Sequence, residues 1–177
     1  MRFAPGMRKF VLLTHIAISV GWLGAVLAYL ALDITAATGQ DVETVRAAYV
    51  AMAIMVSYAI VPLALASAII GIVNALGTPW GLLRHYWILV KLLLTVFAAT
   101  VLLIETSTVH YLADAATSDI DPRELPGTLP HSIGGSVVLL LIVALSVYKP
   151  RGVTRYGWRR QQEQRRQRSG QQPTSTR

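Results

Sequence analysis

Four long apolar runs dominate this sequence, and a chain that carries them has few folds open to it. Residues 10–32 are apolar apart from Thr14, His15 and Ser19, which is long enough for a helix to cross a hydrocarbon core that takes ~20 residues. Further runs cover residues 49–76, 86–106 and 133–148, and the last is short enough that Pro130, His131 and Ser132 are expected to extend it. None alternates with a period of two, so the backbone is expected to satisfy itself as helix rather than as barrel strand. The predicted fold is all-α, a polytopic four-transmembrane-helix bundle. Composition agrees, with 54% of residues apolar and only 14% charged, against about a quarter charged in a soluble domain. The absence of cysteine excludes disulfide scaffolds, thiolate zinc sites and cysteine nucleophiles.

Lysine and arginine in the flanks set the expected orientation. Arg2, Arg8 and Lys9 precede the first run, Arg84 sits between the second and third, and Lys149 with eight arginines follows the fourth. The other two connections hold only Arg46 and Arg123 among seven acidic residues. Both termini are therefore predicted to be cytoplasmic, with residues 1–9 as a cytoplasmic N-terminus, 10–148 as the membrane domain and 149–177 as a basic cytoplasmic tail. The first run is longer than a signal-peptide h-region, so it is read as a span rather than a cleaved leader. The tail is expected to be disordered beyond about Arg160. Its charge suits anionic lipid headgroups, each basic residue near the surface contributing ~1 kcal/mol; no nucleic-acid partner is needed to explain a pI near 10.1.

Local signals refine the helices. Asp41 is placed to cap the second helix, with Glu43 in its first turn, and Pro62 near the middle removes a backbone donor and predicts a kink. His15, Ser19, Trp22, Tyr29 and Asp33 fall on one face of the first helix. Gly21, Gly24, Ala25 and Ala28 supply small residues for close helix approach. Trp80, Tyr86 and Trp87 fit an interfacial belt.

Ionisable residues inside lipid are the first place to look for function. His15 lies five residues past Phe10 and Lys91 five past Tyr86; both helices leave from the cytoplasmic side, so each is ~8 Å deep and the two can share one level. A neutral histidine bonded to a carbonyl and a snorkelling lysine would account for the same pattern. On the outer side His110 and Asp114 stand i, i+4 and His131 opens the fourth helix, a donor set that zinc or copper accepts. Glu105 is expected at the outer interface. A pair of bis-histidine haems would require His85 and His110 to stand ~37 Å apart along one helix, beyond the ~30 Å core, whereas a single haem held through His15 is compatible with the spacing.

Particular segments carry a resemblance. His15-Ile-Ala-Ile-Ser-Val-Gly-Trp-Leu-Gly24, Val61-Pro-Leu-Ala-Leu-Ala-Ser67, the stretch from Gly77 to Leu92, and Ser146-Val-Tyr-Lys-Pro-Arg-Gly152 resemble an actinobacterial family of small four-helix membrane proteins of unknown function. This implies a multi-pass protein of the bacterial cytoplasmic membrane. More distantly, the His15, Trp22 and Gly24 pattern, Trp87 with Lys91 and Leu92, and Val147-Tyr-Lys-Pro150 are similar to the haem-b-binding membrane protoporphyrinogen oxidases and the copper-resistance D proteins. That similarity implies haem b, a cofactor role for His15, Lys91 and Trp22, and an anionic partner such as a propionate for Lys91. The Asn-Glu-x-Pro segment of the oxidases is replaced by Leu129-Pro-His-Ser132 and no histidine stands in the second helix, so porphyrinogen oxidation is not implied. Two classes follow: a membrane protein binding haem or a metal within its bundle, or a non-catalytic assembly partner or transporter accessory whose polar stripe only orders packing.

Overall fold

Helix takes up every apolar run, and each helix outlasts the run that predicts it. The computed structural model describes residues 4–77 and 86–148, together with 152, 154, 158, 159 and 162. The expectations for Trp80, His85, Lys149 and a disordered tail therefore lie outside the described residues. Helix α1 spans Pro5–Thr38, with Pro5 at its first turn where a missing N–H costs nothing. It ends where Gly39 turns to extended backbone and donates to the Thr35 carbonyl. Helix α2, Val42–Met55, starts as expected: the Asp41 carboxylate accepts from the Thr44 amide at 2.9 Å and from its hydroxyl at 2.6 Å.

Pro62 leaves its mark one turn earlier. Residues Val56–Ile60 form a π-helical turn, closed by a bond from the Val61 amide to the Val56 carbonyl, before helix α3 continues over Val61–Gly77. Proline has no N–H to offer and its ring crowds the carbonyl four residues back, and the wider turn accommodates both. Helices α2 and α3 together make the second span. Helix α4 runs over Tyr86–Ala116 and α5 over Leu129–Tyr148, so Pro130, His131 and Ser132 do belong to the last helix. Between them a 3-10 turn at Pro122–Glu124 is capped by Asp121.

Among the described residues four helices are long and apolar enough to cross a membrane, and the chain is a multi-pass membrane protein. The α1 helix packs against α2, α3 and α5, and α4 packs against the same three, so sequence neighbours are neighbours in an up-down ring. The outward surface is apolar, with Phe10, Leu13, Leu93, Ile104 and Val147 exposed. The largest fully buried side chains, among them Tyr49, Met52, Leu112, Val45 and Asp33, gather where α1 finishes and α2 begins.

Candidate functional site

The polar stripe of α1 turns inward as its spacing requires. His15, Trp22, Tyr29 and Asp33 are all buried, alongside Val26 and Ala36. Ser19, between them, exchanges a 2.9 Å hydrogen bond with Ser67 of α3. The stripe divides into two polar regions, one toward each end of the bundle; the one at the start of α1 is labelled inner and the one at its end outer, after the orientation expected from the flanking charges.

The inner region holds His15. Its ring lies against α3, where a Cβ on Gly71 would come within 3.1 Å of its Cε1, so any side chain there would press on the imidazole. Among the described residues the His15 Nδ1 is buried with no partner, and so is the Asn74 Oδ1, one turn further along α3. Lys91, on α4, is half-buried. Among the described residues no hydrogen bond or ion pair holds its ammonium.

The outer region contains a cavity of about 270 Å³. Trp22 and Tyr29 of α1, Ile60 of the π turn and Phe97 of α4 form walls that are predominantly apolar. Glu105 of α4 and His131 of α5 also line it, their side chains 3.4 Å apart, with Glu105 23% exposed and His131 55%. Gly134 and Gly135 face the cavity from α5, and a Cβ at either would meet nothing within 4 Å. Much of the space thus exists because α5 carries no side chain there.

A hydrogen-bonded seam closes this end. The Tyr29 and Thr128 hydroxyls are 3.1 Å apart, and Ser132 donates to the Asp33 Oδ2 at 2.6 Å. Asp33 is 0% exposed, and its Oδ1 has no protein partner. Trp22 is 4% exposed and its indole N–H is likewise unpaired. Buried polar atoms are seldom left unpaired, so each marks a place where the protein alone does not complete the hydrogen bonding.

The residues singled out from sequence are thus distributed. Neither His15 nor Lys91 lines the cavity, whereas Trp22 does, and among the described residues no hydrogen bond joins His15 to Lys91. His110, Asp114 and His131 are not drawn together: His110 Nε2 lies 3.0 Å from the Ser57 hydroxyl, His131 pairs with Glu105, and Asp114 is exposed on the outer end of α4. Among the described residues no three His, Asp or Glu side chains form a group that could hold a metal ion. Glu105, expected at the outer interface, is partly exposed and also reaches the cavity. Gly71, Asn74 and the Gly134-Gly135 pair carried no signal that sequence reasoning used.

No family model matches the chain, and neither a curated protein nor a solved structure matches it. Its functional reading rests on this geometry.

Proposed function

We propose that this is a multi-pass protein of the bacterial cytoplasmic membrane, both termini cytoplasmic, that binds a small and largely apolar molecule inside its helix bundle. The cavity beside Gly134 and Gly135 carries the reading. At about 270 Å³ it is well above the ~150 Å³ of an apolar cavity able to hold benzene. Apolar walls with a few polar groups at one end are the usual chemistry of a small-molecule site. The unpaired Trp22 N–H gives a ligand one donor to meet. The basic tail would keep the inner face close to anionic headgroups.

Photolabelling with an aryl diazirine, followed by peptide mapping, tests this. The expected result is saturable labelling within residues 97–109 and 128–139 that is lost in Gly135→Phe, whose ring would fill the space. Labelling that never saturates and is indifferent to Gly135→Phe would overturn the proposal.

A second reading is favoured by the unpaired His15 Nδ1. A neutral imidazole nitrogen is the donor that haem iron takes, and Lys91 supplies a cation for a carboxylate-bearing ligand nearby. His15 would then hold the iron and Lys91 would pair with the anion. Bound haem b would give a Soret band in the detergent-purified protein that shifts with dithionite and disappears in His15→Ala; a colourless protein after haem-replete expression would refute it.

A further inference from the structure

Resting on the cavity reading, we infer that the preferred occupant is an amphipathic cation: a quaternary or protonated amine joined to an apolar body. The sign of the charge follows from what lines the outer end of the cavity. Glu105 reaches it directly, and Asp33 stands behind Ser132, fully buried with one oxygen unpaired. Among the described residues no lysine or arginine pairs with either carboxylate. Among the described residues the basic group in contact is His131, which lines the cavity too but is more than twice as exposed as Glu105, so its ring lies at the mouth and leaves part of the Glu105 carboxylate to the cavity.

A carboxylate taken partly out of water without a matching cation is costly, and a cationic ligand would supply what the protein does not. An anionic ligand would add to the repulsion. The walls favour the same choice. Trp22, Tyr29 and Phe97 bring three aromatic rings to one small volume, and the faces of such rings attract ammonium groups, most strongly where water is excluded. Carboxylate and aromatic rings thus suit the charged head, while Ile60, Leu102 and Leu139 suit the apolar body. The glycine pair on α5 leaves the side through which a molecule already dissolved in lipid can enter.

The experiment compares benzyltrimethylammonium with neopentylbenzene, its neutral counterpart with carbon in place of nitrogen, as competitors of diazirine photolabelling in the full-length protein. The ammonium is expected to compete at least tenfold more strongly than the hydrocarbon. Glu105→Gln, which keeps the side chain's shape, should abolish that preference, while Glu105→Asp should retain part of it. Thermal unfolding and circular dichroism of Glu105→Gln in detergent, matching the native protein, check that the variant keeps its fold. If both compounds compete equally in the native protein, or if the preference survives Glu105→Gln, the inference of a cation fails while the cavity reading stands. If neither competes and labelling is unsaturable, both fail.

Discussion

The Ser132 hydroxyl donates to the Asp33 carboxylate at 2.6 Å, tying the outer end of the first span to the first turn of the last, 99 residues away in sequence. The pairing places a fully buried acid near a helix N-terminus, where exposed amides and the helix dipole favour negative charge. Removing the hydroxyl while keeping the acid strands a buried acceptor. Ser132→Ala should therefore lower stability by ~1–3 kcal/mol, measured by thermal unfolding in detergent. Replacing both partners, as in Asp33→Val with Ser132→Ala, should recover most of that loss, since two apolar groups leave nothing unpaired. A double variant weaker than the single one would mean that Asp33 is held by more than this bond.

Gly71 and His15 should behave as a coupled pair. A Cβ at position 71 would stand 3.1 Å from the ring, so Gly71→Val forces either the imidazole or α3 to move, at ~1–3 kcal/mol for an overpacked contact. His15→Ala opens the room that valine needs. The double variant should be more stable than the sum of the two single losses predicts, as read from a double-mutant cycle. Simple additivity would place the imidazole elsewhere.

The Ser19–Ser67 bond also joins α1 to α3, and here the expected effect is small. Hydrogen bonds between membrane helices average ~0.6 kcal/mol because the separated helices find other partners. A Ser19→Ala, Ser67→Ala cycle in the same detergent should give a coupling of about that size. A value several times larger would show that water or a ligand extends the pair into a network.

Outside the spans, acid should loosen the connection between α4 and α5. The Arg123 side-chain hydrogen bonds, above all, pull the Asp121 carboxyl from 3.8 down to about 2. The Arg123 Nη1 also reaches the Gln40 carbonyl at 3.2 Å, pinning this connection to the one after α1. A depressed carboxyl contributes stability that is fully present above its unfolded value near 3.8 and is lost as the pH falls through about 2. A carbon-13 titration of Asp121 should show the low midpoint, and Arg123→Ala should return it towards 3.8. An unchanged midpoint would remove Arg123 as the cause.

Much of the architecture was legible because membrane spans obey simple rules. Length and uniform apolarity gave four helices, and a face repeating every 3.6 residues gave the buried stripe from His15 to Asp33. Asp41 announced its own capping bond. The cavity was not legible, since it depends on what is missing: Gly134 and Gly135 read as neutral entries in an apolar run, and only the fold shows which side they leave open. Glu105 was assigned by its depth alone. Depth fixes a height along the helix but not a direction around it, so its approach to the cavity and to His131 stayed hidden. The expected gathering of His110, Asp114 and His131 failed for the same reason. Residues at one height on two helices can face different neighbours, here Ser57 for one and Glu105 for another.

The π turn at Val56–Ile60 resets the rotational phase of everything that follows it. One additional residue in a turn advances the chain by ~100° about its axis, and the inward positions after it, Ile60, Ala64 and Ser67, arrive up to one place later than an uninterrupted helix counted from Met52 would bring them. That delay presents Gly71 to His15. Without it the neighbouring Ile70 would rotate toward the imidazole, so the close fit at His15 is set by a backbone irregularity some three turns away.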